Sequence, residues 1–483
     1  MIKETMVGIL TVGLAVSAML ASTSGSTFDN ISLFSSNVAY GSVGTLAGNS
    51  LSGLMYVQLT NSNSIAVVDL ATDSVLRNII VNGTIHNIKI SEDQGTLHIV
   101  TTNRDSGSLY MLNTTNNEIM NERIFTDASV QDIAFFNNSL YLSDAIGGRV
   151  LIMNSNGTLL HEINVGSRPQ FIEVRQDGKV LYVSKSDGPI TVIDLEQNIV
   201  IREIDSEKIP HRFSFDNNGA RLFVVNAEND SLSVIDAQNH EIIKTIPVGD
   251  NPRYVALNPD ETLAYVTNMD SNTISIVDTQ LMEIVNEIPV GNGPYGLVFS
   301  ADGGDLSYVG NSRGNDVSII DTTSNNIVST IAAVGSGPNQ MVVRKPAIDI
   351  VRDEEINNNN NSGNNNPSFI ARVFVEVPDD AEEYMRGLMF RQHLPWNAGM
   401  LFAFNNEEPR AFWMKNTLIP LDMIFVSDNS EIVDIIENVP PCEQDPCPIF
   451  PSEEPAQYVL EVNAGFVHQN GIQIGDRLVT DIQ

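Results

Sequence analysis

"YVTNMDSNTISIVDT", Tyr265 to Thr279, decides the fold of this chain. It opens on an aromatic and β-branched run, breaks at a polar turn, and resumes as "TISIVD". Short runs of that kind on either side of a turn read as two paired strands. The stretch recurs as "FVVNAENDSLSVIDA" from Phe223 and "YVGNSRGNDVSIIDT" from Tyr308. Weaker copies begin at Tyr56, His98, Tyr141 and Tyr182. An acidic residue closes five units, at Asp69, Asp194, Asp236, Asp278 and Asp321, and Asn113 and Asn154 fill the same place in two. These positions lie 40 to 44 residues apart. The closing Asp or Asn suits an Asx turn, in which its side chain accepts from the backbone just beyond.

Between copies run "INVGSRP", "IPVGDNP" and "IPVGNGP", a glycine where the chain turns and a proline before the next strand. Each unit therefore supplies about four short strands, and a period near 40–45 residues with that content describes a propeller blade. Seven units supply outer strands, the first from Leu54 with no inner strand before it. The last inner strand, "QMVVRK" at Gln340–Lys345, has no outer strands after it. Pairing that strand with the first unit predicts seven blades closed into a ring, which leaves no open sheet edge at the seam. These units resemble the YVTN family of propeller repeats over residues 54–346. The resemblance implies the fold and leaves function open, because propellers carry many unrelated activities.

The start of each inner strand lies near the mouth of a propeller's central channel. Aligning the units puts His86, Gln131, Gln170, His211, Arg253, Tyr295 and Asn339 at one equivalent position. Such a ring suits a small ligand, a metal or a peptide end, and it equally suits a water-filled mouth with no ligand. HExxH, GxSxG and EF-hand patterns are absent, and no metal ligand set is spaced along the chain. "GNGPYG", Gly291–Gly296, matches a dinucleotide fingerprint in letters only, since no helix is expected after it. No cofactor and no catalytic residue can be named.

The chain has 483 residues, with 26 basic and 60 acidic side chains and a net charge of −34. That field repels phosphate backbones and excludes nucleic acid as a partner class. Residues 1–24 read as a secretory signal, with the apolar run Met6–Ala21 at its centre, and 25–53 as a lead-in. An uncleaved membrane anchor is the alternative. Asn-x-Ser/Thr sequons at Asn30, Asn82, Asn113, Asn137, Asn156, Asn229 and Asn360 fit an exported, glycosylated chain. Cys442 and Cys447, in one loop with no histidine nearby, read as a disulfide of an oxidising compartment.

Residues 347–368 contain the tract "EEINNNNNSGNNNPS", too polar to bury a core, and read as a flexible linker. Residues 369–483 then form a small β-rich domain of α+β, barrel-like type with one or two helices. "RGLMFR" (386–391), "GMLFAF" (399–404), "FWMKNTLIPLD" (412–422) and "YVLEVNAG" followed by "GIQIGDRL" resemble the domain-of-unknown-function family 192 across nearly the whole of it. The resemblance implies a compact β-rich fold and no settled activity.

In "AFWMKNTL" a strand sends Phe412 and Met414 one way and Trp413 and Lys415 the other. An indole beside an ammonium suits an anionic or sugar-like ligand, or a peptide. Asn416 and Thr417 add donors and acceptors, Asp422 follows closely, and Arg386 and Arg391 are expected to approach from a helix. The same residues also read as packing, with Trp413 in the core, Lys415 paired to Asp422 and Asn416-Thr417 forming a turn. The overall expectation is a secreted or cell-surface binding and scaffold protein with a protein, glycan or small-molecule partner. An exported enzyme, such as a lactonase-like hydrolase at the channel mouth, is the first alternative. A surface-layer structural glycoprotein is the second.

Overall fold

The computed structural model describes all residues except 1–52, 92, 105, 138, 155–156, 206–208, 217, 302–303, 353–366, 379–380, 392, 443–445 and 481–483. The expected signal or anchor, the lead-in up to residue 52, the sequons at Asn30, Asn156 and Asn360, and the Asn-rich tract lie outside the described residues. None of the described helices is long and apolar enough to cross a membrane.

Seven four-stranded antiparallel sheets form the propeller, and successive inner strands pack against one another around the ring. The closure is as the repeat count predicts. The last inner strand, Pro338–Arg344, pairs with Leu54–Leu59 and completes the first blade. The sheets are not uniformly apolar along their width. Second strands such as Leu54–Leu59 and Val180–Lys185 are buried throughout, whereas outer strands such as Glu283–Pro289 are mostly exposed.

The repeat residues earn their places by joining strands and blades. Asp69, Asp194, Asp236 and Asp278 each accept a backbone N–H two residues on, at 2.8–2.9 Å. Asn113 does the same from Thr115 at 2.7 Å. The motif asparagine is buried and donates to two hydroxyls of the next strand: Asn268 Nδ2 meets Thr273 Oγ1 at 3.1 Å and Ser275 Oγ at 2.9 Å. The motif tyrosine crosses to the neighbouring blade. Tyr56 Oη donates to Asn117 Oδ1 at 2.7 Å and Tyr265 Oη to Asn325 Oδ1 at 2.9 Å. Both acceptors sit in the left-handed backbone region that closes the adjacent blade's outer turn. One hydroxyl thus ties two hydrophobic blade cores at their contact.

The C-terminal domain starts earlier than the sequence suggested. Ala347–Arg352, placed in the linker by its position, is a strand paired with Ser368–Glu376 on one side and Arg477–Thr480 on the other. The Asn-rich tract therefore interrupts a pair of neighbouring strands instead of separating two domains. Across the sheet the order is 432–439, 421–426, 456–463, 398–408, 368–376, 347–352, 477–480. Only Ser368–Glu376 and Ala398–Glu408 run parallel, and the crossover between them carries the helix Ala381–Arg386. The edge strands approach each other through a bridge between Glu431 and Arg477, with Ile432 N donating to Asp476 O at 2.8 Å, so the sheet curls into a barrel. Ile350, Val373, Ile424, Leu460, Val462 and Phe466 fill one face. Met400, Phe402, Met414, Met423, Phe425 and Val459 pack on the other.

The domain is also seated on the propeller. Arg344, 1% exposed, donates through Nη1 to Thr114 O at 2.7 Å, and its guanidinium lies 5.9 Å from the Phe374 ring. Arg372 grips Asp349 with two bonds of 2.6 and 2.7 Å and reaches Thr115 Oγ1 with its remaining nitrogen. Asn397 Nδ2 donates to Asp93 O at 2.9 Å. These contacts fall on turns of the second blade, so the domain is packed against the propeller where a loose tether was expected.

Candidate functional site

Two regions hold the residues singled out from the sequence. At the channel, His211, Arg253 and Tyr295 do come together. His211 Nδ1 lies 2.8 Å from Arg253 O, an acceptor only, so Nδ1 carries the proton, and Nε2 faces Tyr295 Oη at 3.4 Å. Burial first, then the Arg253 and Arg212 charges, hold the imidazole well below its usual range, so it is neutral. The other members turn to nearer partners. His86 Nε2 meets Thr102 Oγ1 at 2.6 Å, Gln131 donates to Ser129 Oγ at 2.8 Å, and Asn339 donates to Thr60 Oγ1 at 3.1 Å. Gln170 lends its carbonyl to Ser143 Oγ at 2.6 Å.

The next layer was not anticipated, and it fills the channel with charge pairs. Asp132, 1% exposed, accepts from Asn87, from Ile133 N at 2.8 Å and from Ile172 N at 3.0 Å. Arg212 lies 3.4 Å from it, with its guanidinium 4.4 Å from the Phe171 ring. Lys89 spans to Glu173 at 3.1 Å, and Gln340 donates to Tyr254 Oη at 3.4 Å. Burial pulls the Lys89 ammonium down, but Glu173 and Asp132 outweigh it and leave it raised, so the ammonium keeps its charge. These links join four consecutive blades and cross the ring, which makes this layer a brace between inner strands. The sequence signal was there: a charged or amide residue directly follows His86, Gln131, His211 and Asn339.

In the C-terminal domain the strand Ala411–Trp413 pairs with Ile449–Pro451, Trp413 opposite Ile449. Alternation sorts the side chains as expected. Met414 is buried, and Phe412 packs edge-on against Phe402 at 5.1 Å. Trp413 is 48% exposed, and Lys415 Nζ lies 5.2 Å from its ring centroid. The chain then turns: Asn416 takes a left-handed φ of 57°, and Thr417 N donates to Met414 O at 3.2 Å. The turn is held from two sides, by Phe390 N donating to Asn416 O at 2.8 Å and by Cys442 N donating to Met414 O at 3.4 Å. Cys442 is disulfide-bonded to Cys447. Ile449, opposite Trp413, and Phe390 and Leu418, next to the Asn416 turn in bonding or in sequence, are more than half exposed.

Three residues expected beside this face are occupied elsewhere. Asp422 is fully buried; Oδ1 accepts from Asn438 N at 2.8 Å and Oδ2 from Val467 N at 3.0 Å. It anchors the short helix Phe466–Asn470 and neither pairs with Lys415 nor joins its surface. Arg391 grips Glu376, which Lys345 also meets at 2.6 Å. Arg386 pairs with Glu383 at 3.4 Å, within its own helix.

One further group stands out. Glu461 lies mid-way along the central strand Ala456–Asn463, 5% exposed, opposite Met400 on one neighbour and Met423 on the other. No described residue hydrogen-bonds its carboxyl, and burial alone pushes that carboxyl up to about 8. Gly399 is required beside it, because a Cβ there would meet the Glu461 carbonyl at 2.5 Å. The available signal was a single acid inside the apolar run "YVLEV".

Residues 212–351 match the model of the YNCE-like beta-propeller family, and residues 363–480 match DUF192, described as "Uncharacterized ACR". None of the curated proteins matches this chain. Among solved structures, a functionally unknown protein from Desulfotomaculum acetoxidans aligns with 60% of this chain and 98% of its own, at 11% identity and TM-score 0.52. Hydrazine synthase from Kuenenia stuttgartiensis aligns with 53% of this chain and 88% of its own, at 20% identity and TM-score 0.47. At 11% identity the likeness to the Desulfotomaculum acetoxidans protein is one of fold alone.

Proposed function

For a chain that is a YNCE-like β-propeller followed by a DUF192 domain, we propose a binding and scaffold role at the cell exterior. The C-terminal domain carries the binding face. The observation that supports this most is the half-exposed Trp413 indole with the Lys415 ammonium 5.2 Å from its ring, on a turn fixed by its neighbours. An exposed indole with the exposed Ile449 opposite it gains by covering its apolar surface, and aromatic anchors of this kind dominate binding energies. The ammonium selects an anionic, sugar-like or peptide partner. The propeller supplies a rigid platform, because its channel is braced by Asp132–Arg212 and Lys89–Glu173.

Export is supported by the apolar run Met6–Ala21, by the Cys442–Cys447 disulfide, and by the exposed sequon residues Asn82, Asn137 and Asn229. Arrays of glycans, organic anions and peptides probed with the labelled full chain test the role. Capture of one class, lost in Trp413→Ala and in Lys415→Ala with the domain still folded, is the expected result. Undiminished capture by both variants sinks the proposal.

A further inference from the structure

The register of the inner strands breaks at one height all round the propeller ring. Each inner strand pairs with its second strand on either side of the mouth residue and skips the residue itself. His86 falls between the paired Ile85 and Asn87, Gln131 between Val130 and Asp132, and Arg253 between Pro252 and Tyr254. Gln170, His211, Tyr295 and Asn339 lie in slightly wider skips of the same kind. Such a bulge leaves its residue out of the ladder and re-aims the side chain. Bulges at one level gather these side chains at the channel mouth, where all but His211 are partly exposed. The mouth is therefore open to solvent.

Arg253 carries the one permanent charge of this ring. None of the described residues hydrogen-bonds or ion-pairs with its guanidinium, and its enclosed Nε has no acceptor. The guanidinium carbon lies 5.9 Å from the Tyr295 ring centroid. Asp270, the carboxylate that Arg253 acts on through space, is already bonded to Arg313 at 2.7 Å and to Asn251 at 2.9 Å. Gln170 stands on the other side of His211, and its side-chain amide also has no partner among the described residues. Groups two inner strands apart bridge readily here, since Tyr295 Oη reaches His211 Nε2 at 3.4 Å. Gln170 and Arg253 are separated by the same two strands. One layer down, Arg212 Nε is enclosed without an acceptor as well, while Asp132 balances Arg212 and Glu173 balances Lys89 in charge. The mouth is left with one positive charge and donors that lack acceptors. Water satisfies the donors but leaves the charge uncompensated.

We propose that the channel mouth binds a small monocarboxylate, its oxygens taken by the Arg253 guanidinium and the Gln170 amide beside His211. A guanidinium matches a carboxylate in both shape and charge. A single positive charge, in a chain whose own charge is −34, favours a monoanion over a phosphate. This site is separate from the Trp413/Lys415 face and goes beyond it. Its occupancy stabilises the propeller, whereas a ligand of that face stabilises the C-terminal domain.

Calorimetry with sodium propionate in chloride-free buffer tests it. The full chain carries Lys415→Ala, so that the other cationic face takes no part. Propionamide and inorganic phosphate are the controls. The expected result is saturable binding of propionate, none of propionamide, and binding of phosphate at least about tenfold weaker. Adding Arg253→Gln, which strands no described partner, should weaken propionate at least about tenfold, and Arg253→Lys should retain part of the affinity. Gln170→Glu leaves Arg253 in place and should weaken propionate as much, because it sets a like charge in the site. No saturable binding of propionate overturns the site. Equal binding of propionamide overturns the role of charge, and equal binding of phosphate overturns the choice of a monocarboxylate. Unchanged affinity in Arg253→Gln or in Gln170→Glu overturns the placement at the mouth.

Discussion

Replacing Glu461 by Gln should change how stability depends on pH more than it changes stability at any one pH. Burial raises this carboxyl from 4.5 to about 8. Between those values the folded chain holds a proton that the unfolded chain has released. Stability therefore falls as pH rises through the window and is flat beyond it. At about 1.4 kcal/mol per unit, the whole shift sets a ceiling on the order of 5 kcal/mol. Glutamine keeps the shape and cannot ionise, so the variant loses this slope. Near pH 5 the two chains should unfold at similar denaturant concentrations, and by about pH 9 the variant should be more stable by a few kcal/mol. The assay is favoured by the sequence, since both tryptophans, Trp396 and Trp413, lie in the C-terminal domain. Their fluorescence in urea reports that domain and not the propeller. Other groups contribute slopes of their own, but these cancel in the difference. Parallel stability profiles for the two chains across this range would refute the buried, unpaired carboxyl.

Tyr265→Phe removes the hydroxyl that bonds Asn325 in the next blade and should cost about 1 kcal/mol in denaturant unfolding of the propeller. Arg212→Ala strands Asp132 in the channel and should cost roughly 3–5 kcal/mol, far more than an exposed charge removed from an outer strand. Asp422→Ala frees two buried or half-buried backbone donors and should lower the urea midpoint read by tryptophan by the equivalent of about 2–3 kcal/mol. Reducing Cys442–Cys447 opens a very short loop, so thermal melts with and without reductant should differ by about 2 kcal/mol or less.

Most of the propeller was legible because each repeat states its own turn chemistry. Asp278 closes a turn that any reader of "IVDTQ" expects, and the unpaired final strand at 340–345 announces its pairing with Leu54–Leu59. What escaped depends on partners distant in sequence. Ala347–Arg352 reads as a tail because Ser368–Glu376 lies beyond a polar tract and Arg477–Thr480 lies more than a hundred residues on. Alternation was enough to divide Trp413 and Lys415 from Phe412 and Met414. It could not say that Asp422 would serve the helix Phe466–Asn470, nor that Arg391 would be claimed by Glu376. In the channel the repeat alignment found the mouth but not the charge pairs beyond it: charged or amide residues directly follow four of the mouth positions, yet nothing local says which of them meet across the ring.

The measurement closest to the central claim is a thermal-shift panel of the full chain against sugars, organic anions and peptides, run beside Trp413→Ala and Lys415→Ala. A ligand at about a hundred times its dissociation constant adds roughly 2.7 kcal/mol, which moves the midpoint of a domain this size by several degrees. A binding face at Trp413 gives such a shift for one ligand class and none in either variant, with the variants' own midpoints near that of the wild type. The same shift in the wild type and both variants would contradict it.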